Sequence, residues 1–151
     1  QFIKWTKVVI PSLIQPCLAL SRRTETLAAV DRKYSLPCTC DQTNARLLTV
    51  TCVYFDSLNE IKLPTCYCTP APAALLSRGL MASSPTHPTL AVDIKLLEFA
   101  RMQFLHMVPN TTSWCAALEA CLTSLGFKLQ TRDTLRHRFT TSLRWYYALL
   151  E

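Results

Sequence analysis

Glycine is nearly absent from this sequence, since only Gly79 and Gly126 occur among its 151 residues. The loops that hold phosphates in P-loop and dinucleotide-binding folds need several closely spaced glycines, so the sequence excludes both kinds of site. Tight hairpin turns also favour glycine. The scarcity of glycine therefore argues against an all-β fold that is rich in hairpins.

Long apolar runs and catalytic motifs are absent as well. No run of about 18 apolar residues occurs, and residues 8–20 are interrupted by Pro11 and Pro16. We therefore expect no membrane span and no membrane partner. The sequence also has no Gly-x-Ser-x-Gly motif, no His-Glu-x-x-His motif and no paired carboxylates. We expect neither a catalytic site nor a small-molecule substrate.

Acidic residues are outnumbered by basic ones. Sixteen Lys and Arg against ten Asp and Glu give a formal net charge of +6, which attracts polyanions at long range. Four arginines near the C-terminus are interleaved with aromatic residues and are candidates for binding nucleic acid: Arg132, Arg136, Arg138 and Arg144. The solvated face of an ordinary amphipathic helix would explain the same arginines.

Cysteine, in contrast, is abundant, and four of the eight cysteines form two Cys-x-Cys pairs: Cys38 with Cys40, and Cys66 with Cys68. A tetrahedral zinc site holds its sulfurs within about 4 Å of one another. Because an extended strand would separate the side chains of such a pair by about 7 Å, each pair needs a turned backbone. We expect the four thiolates to bind one Zn²⁺ ion, with ordinary thiols and disulfides as the alternatives.

The remaining cysteines and one histidine have simpler explanations. Cys52 lies between the two pairs and is a fifth candidate ligand, although we favour a thiol that fills the apolar face of a strand. Cys115 and Cys121 fall in a predicted helix, Cys121 on its apolar stripe, and are expected in the core. His87 lies between prolines and is a further candidate ligand.

Hydrophobic patterning predicts one hairpin and several helices. A β-branched and aromatic run over 47–55 and a shorter run over 60–63 predict two antiparallel strands. The residues just outside such strands lie side by side, so the two Cys-x-Cys pairs would meet. Helices are predicted over 12–30, 73–80 and 90–108, from a cap at 111–113 to Gly126, and from about 131 to 150.

These elements predict an α+β, mainly helical fold in which a small zinc-binding β-hairpin packs on a C-terminal helical bundle. The expected division has an N-terminal segment over 1–35 that is helical or irregular. The cysteine cluster with its hairpin occupies 36–70, and the helical region occupies 71–151.

A family resemblance is carried by the two Cys-x-Cys pairs, by Trp145-Tyr146 and by segments 48–56, 66–72, 75–80, 88–93, 96–99, 109–119 and 133–139. These segments resemble the CxC cysteine cluster found with KDZ (Kyakuja-Dileera-Zisupton) transposases of fungal mobile elements. One departure follows Gly79-Leu80, where Met81-Ala82-Ser83-Ser84 stands in place of an aromatic-proline step. That loop therefore provides no cysteine ligand.

The resemblance implies a zinc-chelating domain N-terminal to a transposase catalytic domain of the RNase H-like type, with ligands Cys38, Cys40, Cys66 and Cys68. It implies an accessory, non-catalytic role in the nucleus, with transposon-end DNA or the transposase catalytic domain as partner. The catalytic carboxylates of that domain have no counterpart in these 151 residues. The alternative is a metal-free helical protein-interaction domain with relic cysteines.

Overall fold

A computed structural model of the chain describes residues 1–24, 26–34, 46–66, 68–129 and 135–151. Within these ranges the fold is α+β, with one four-stranded sheet. Its helices are α1 (Phe2–Lys4), α2 (Ile10–Arg23), α3 (Ala71–Ser77), α4 (Ile94–His106), α5 (Thr111–Ser124) and α6 (Leu135–Leu150). Its strands are β1 (Arg46–Val53), β2 (Leu58–Thr65), β3 (Leu80–Ala82) and β4 (Leu90–Asp93).

The predicted hairpin is confirmed. β1 and β2 are antiparallel, with Arg46 paired to Thr65 at the open end and Val53 paired to Leu58 at the turn. Cys66 directly follows β2, as the hairpin prediction required. The first Cys-x-Cys pair, Cys38 and Cys40, lies outside the described residues.

The sheet extends beyond the hairpin, which corrects the prediction of a small hairpin on a helical bundle. β4 runs parallel to β1 and antiparallel to β3, which gives the strand order β2-β1-β4-β3. Every residue of β3 and of β4 is buried, so the rest of the fold covers both faces of these strands. The α+β class is confirmed, but the hairpin forms one side of a larger sheet.

The predicted helix over 90–108 is wrong over its first four residues, which form β4. The run Leu90-Ala91-Val92 is apolar without alternation, and such a short run fits a buried strand as well as a helix turn. The helix itself begins after Asp93, whose carboxylate accepts a hydrogen bond from the backbone N–H of Lys95 at 3.2 Å. This N-cap satisfies one of the free N–H groups of the first turn.

The N-terminal helical segment begins earlier than predicted and ends at Arg23 rather than at Val30. Its residues are helical from Phe2, with a π-helical segment at Trp5–Val9 between α1 and α2. The side chains at positions 5, 9, 13 and 20 are buried, and the Trp5 ring stacks on Trp145 of α6 at 5.2 Å. Packing of this face maintains the helix through Pro11 and Pro16, although proline lacks an N–H.

The predicted stripes of the last two helices are partly confirmed. On α6 helical spacing predicts a buried stripe at Leu135, Phe139, Leu143, Tyr146 and Leu150, and all of these except Leu150 are buried. On α5 Leu118 and Leu122 are buried, whereas Cys121 and Leu125 are exposed. In the predicted helix over 90–108 the apolar face includes Leu105 and Val108, but Leu105 is exposed and Val108, which lies beyond α4, is 90% exposed. These predictions were wrong because sequence spacing cannot tell how much of an apolar stripe a partner covers.

Candidate metal centre and nucleic-acid interface

The second Cys-x-Cys pair lies at the open end of the hairpin, and its two sulfurs are close together. Cys66 Sγ and Cys68 Sγ are 3.2 Å apart. The backbone groups of Cys66 and Thr69 hydrogen-bond each other in both directions, at 3.3 and 3.2 Å. This pairing folds the chain back on itself, which is the turned backbone that a Cys-x-Cys pair needs to direct both thiols to one point.

Thr69 takes part in this arrangement and was assigned a different role by the sequence pattern. Its buried hydroxyl lies 3.0 Å from Cys66 Sγ, whereas Thr69 followed by Pro70 is a pattern typical of a helix N-cap. In the structure Pro70 occupies the N-cap position of α3, without a side-chain cap. The signal for the role of Thr69 was its position directly after Cys68.

Cys52 lies far from this pair. In β1 it is six residues beyond Arg46, the residue that pairs with Thr65, which corresponds to about 20 Å along the strand. Its side chain is fully buried, and burial raises the pKa of the thiol to about 11. Because metals bind the thiolate, this geometry favours Cys52 as a core residue.

Two other described cysteines, Cys115 and Cys17, are also at least partly buried. Cys115 is buried in α5, and burial raises the pKa of its thiol to about 12. Cys17 is half-buried, and burial raises the pKa of its thiol as well. Within the ranges that the structure describes, no group of three or more Cys, His, Asp or Glu side chains is placed to hold a metal ion. Of the four predicted zinc ligands, the structure thus brings Cys66 and Cys68 together, and Cys38 and Cys40 lie outside the described ranges.

The arginines predicted to contact nucleic acid have different surroundings on α6. Arg136 is exposed, Arg138 is half-buried and donates a hydrogen bond to Thr89 Oγ1 at 3.1 Å, and the guanidinium of Arg144 lies over the Phe2 and Trp145 rings. Arg132 lies outside the described residues. Arg136 and Arg144, two turns apart, fall on one side of α6 and leave their positive charge accessible.

No helix in the described part of the chain is both long and apolar enough to span a bilayer. No curated protein and no solved structure matched the chain significantly. A family model did match, the CxC1-like cysteine cluster associated with KDZ transposases, over residues 24–124. This range contains β1 to β4, both Cys-x-Cys pairs and α3 to α5. The chain belongs to the family of CxC1-like cysteine clusters associated with KDZ transposases.

Proposed function

We propose that this chain is a non-catalytic zinc-binding module of a transposase. The observation that carries the proposal is the close approach of Cys66 and Cys68 at the open end of the hairpin. Their 3.2 Å separation is within about 1 Å of the spacing in a tetrahedral zinc site. The family match supports the association with a transposase.

The remaining ligands in this proposal are Cys38 and Cys40. They precede β1 in the sequence, and β1 is the strand that pairs with β2. Zinc bound by both pairs would link the chain before β1 to the chain after β2 and so stabilise the open end of the hairpin. Because zinc binding and folding are then coupled, removal of the metal destabilises that end first.

Metal content of the purified chain tests the zinc site. We expect about one zinc per chain, as a single four-ligand site requires, and loss of the bound zinc in Cys66→Ser and in Cys68→Ser. Cys121→Ser is the matched control because Cys121 is exposed on α5 and its loss should leave the zinc content unchanged. A wild-type chain without zinc, or full zinc content in both pair variants, would contradict the proposal.

Chelation provides a second test of the same site. Removal of zinc should increase amide hydrogen exchange near Arg46 and Thr65, where the hairpin opens, more than in α5 or α6. An equal increase throughout the chain would show that the metal stabilises the fold in general and has no special link to the hairpin. Amide hydrogen exchange that does not change after chelation would contradict the proposed site.

The module's task, in this proposal, is recognition of transposon-end DNA or of the transposase catalytic domain in the nucleus. The DNA role is supported by α6, whose residues 135–150 include three arginines and no acidic residue. Contacts with phosphates release counterions, so DNA affinity should fall steeply as salt is raised. Binding that does not change with salt, or no binding at all, would leave only the protein partner.

One observation favours a second candidate function, a metal-free protein-interaction domain. Apolar side chains at positions 99, 102 and 105 of α4 are exposed, as on a helix that packs against a partner. Under this alternative the purified chain contains no zinc. Serine variants of Cys66 and Cys68 would then bind the transposase catalytic domain as tightly as the wild type does.

A further inference from the structure

We infer, building on the proposed DNA role, that a cavity beside Cys66 binds the phosphate backbone of a DNA strand. The cavity lies between the N-terminal helical segment, the open end of the hairpin and the loop that precedes β4. Its volume is about 490 Å³. That volume falls in the range of pockets that bind small ligands, about 300–1,000 Å³.

The groups around the cavity match a phosphodiester in charge and hydrogen bonding. Lys4, Arg46 and His87 line it, and all three are exposed. Hydroxyl groups come from Ser12, Thr65 and Thr86, and the other described lining residues are apolar apart from Cys66. Lysine and arginine at a concave surface, with hydroxyls as further donors, are typical contacts to a DNA backbone.

Among the residues that the structure describes, no carboxylate lines this cavity, which favours an anionic ligand. Its lining residues come from 4–12, 46, 65–72 and 85–87. The sequence has no Asp or Glu over 1–24 or over 61–92, so negative charge is also absent from the chain around the lining segments 4–12, 65–72 and 85–87. Clefts lined by one sign of charge concentrate ligands of the opposite sign.

The cavity also adjoins the basic helix α6. Arg138 of α6 donates to Thr89, two residues after His87 in the same loop. Arg144 lies over the ring of Phe2, two residues before Lys4. The cavity and the arginines of α6 therefore form one basic surface, and a DNA strand that crosses the cavity would also pass close to Arg138 and Arg144.

Salt-dependent DNA binding of matched variants tests the site. The test variant is Lys4→Gln with Arg46→Gln, and the control is Lys33→Gln with Lys128→Gln, which removes the same charge from exposed positions away from the cavity lining. Binding of a labelled random-sequence duplex is followed by fluorescence anisotropy at increasing salt. Since each phosphate contact contributes about 0.9 to the salt slope, the test variant should lower the slope by about 2 and bind more than about tenfold more weakly at ~0.1 M salt. The control should keep the wild-type slope.

A gain-of-charge variant gives an independent measurement that does not depend on loss of affinity. Thr86→Arg adds a cation at an exposed position of the lining and should increase the salt slope by about 1. Equal slopes for the wild type, the Lys4/Arg46 variant and Thr86→Arg, together with tight DNA binding, would overturn the assignment of this cavity and leave the proposed DNA role intact. A wild-type chain that binds no DNA would overturn both.

A titration with inorganic phosphate distinguishes binding of a DNA strand from binding of a free anion. In NMR titrations DNA should shift the amide signals of Ser12 and Thr65 in the wild type, and the shifts should be lost in the Lys4/Arg46 variant. If inorganic phosphate shifts these signals while DNA leaves them unchanged, the cavity is a site for the free ion and the inference fails.

Discussion

The cysteines of this chain differ in their surroundings, and those surroundings separate the candidate ligands from the core residues. Cys66 lies in a turn with its sulfur against Cys68, at the end of a strand. Cys52 and Cys115 are enclosed by apolar side chains. A thiol in an apolar site remains protonated, whereas a metal requires the thiolate. Among the cysteines that the structure describes, only the pair at the end of β2 combines a close second sulfur with access to solvent.

The contrast between buried Cys52 and exposed Cys121 can be measured as a difference between the unfolding free energies of two serine variants. Cys52→Ser places a hydroxyl in a fully buried site, and an unsatisfied hydroxyl there should lower the free energy of unfolding by about 1–3 kcal/mol. Cys121→Ser alters an exposed position and should change it by less than about 0.5 kcal/mol. Urea denaturation of both variants provides the comparison. Equal losses would show that Cys121 is buried in solution.

Alkaline pH should destabilise the protein because burial keeps two cysteine thiols and one tyrosine hydroxyl protonated in the folded state. Burial raises the pKa of Cys52 to about 11 and those of Cys115 and Tyr54 to about 12. The unfolded chain loses these protons at lower pH than the folded chain does, so the folded state binds more protons above the unfolded pKa values. The free energy of unfolding should therefore be insensitive to these groups below about pH 8 and fall as pH rises from about 9 to 12.

Denaturation curves at several alkaline pH values measure this effect. Cys52→Ala is a suitable variant because it removes one of the three groups without adding a polar atom, and it should reduce the slope of stability against pH. A wild-type stability that increases between pH 9 and 11 would contradict the predicted direction.

Among the structural elements, the turn between α3 and β3 depends most clearly on one residue. Gly79 has a φ of +77°, and a Cβ there would lie 2.5 Å from Val30 Cγ1. Gly126, after α5, has a φ of +92° but no neighbouring atom within 4 Å of such a Cβ. The two positions share the backbone requirement for glycine and differ in packing.

Alanine at the two glycines separates backbone strain from steric overlap. Gly126→Ala should cost about 1–2 kcal/mol of unfolding free energy, which is the cost of a left-handed conformation for an L-residue. Gly79→Ala should cost more, because it adds an overlap with Val30, and Val30→Ala in the same chain should recover part of the difference. Thermal or urea denaturation measures all three. If Gly79→Ala costs no more than Gly126→Ala, the segment with Val30 does not pack against this turn.

At the level of the complete fold, the helices outside the family match pack against each other. α1, the π-helical segment and α2 precede residue 24, and α6 follows residue 124. Trp5 nevertheless stacks on Trp145, and Ser142 of α6 donates to the carbonyl of Ala82 in β3 at 3.3 Å. The flanking helices therefore belong to the same core as the matched residues.

Removal of either flanking helix should abolish cooperative unfolding. A fragment over 24–151 loses the buried side chains of Trp5, Val9, Leu13 and Leu20. Truncation of one buried tryptophan alone costs about 3–5 kcal/mol, a large part of the ~5–15 kcal/mol that stabilises a domain. Circular dichroism should show a broad thermal transition for the fragment. The exposed Ile3→Ala in the full chain is the control and should melt like the wild type. A sharp transition for 24–151 would show that the matched region folds without its N-terminal helix.

The elements predicted correctly from sequence are those formed by neighbouring residues. The hairpin follows from two strand-like runs, and the buried stripe of α6 follows from spacing. The predicted cap of α5 at 111–113 is one residue too late, because Asn110 is the N-cap and its side chain accepts from Ser113 N. The cysteine pairs and the family resemblance are likewise properties of short segments. Local propensity, capping and periodicity are sufficient for such features because their energies come from residues a few positions apart.

Other features depend on contacts between distant residues. β4 is a strand because β1 and β3 provide its hydrogen-bond partners on both sides, while its own apolar run fits a helix equally well. Cys52 is a core residue because its strand carries it away from the open end of the hairpin. The basic cavity exists because Lys4, Arg46 and His87 come together from three separate segments. Pairing, burial and shared electrostatic surfaces arise from tertiary packing, which no local pattern specifies.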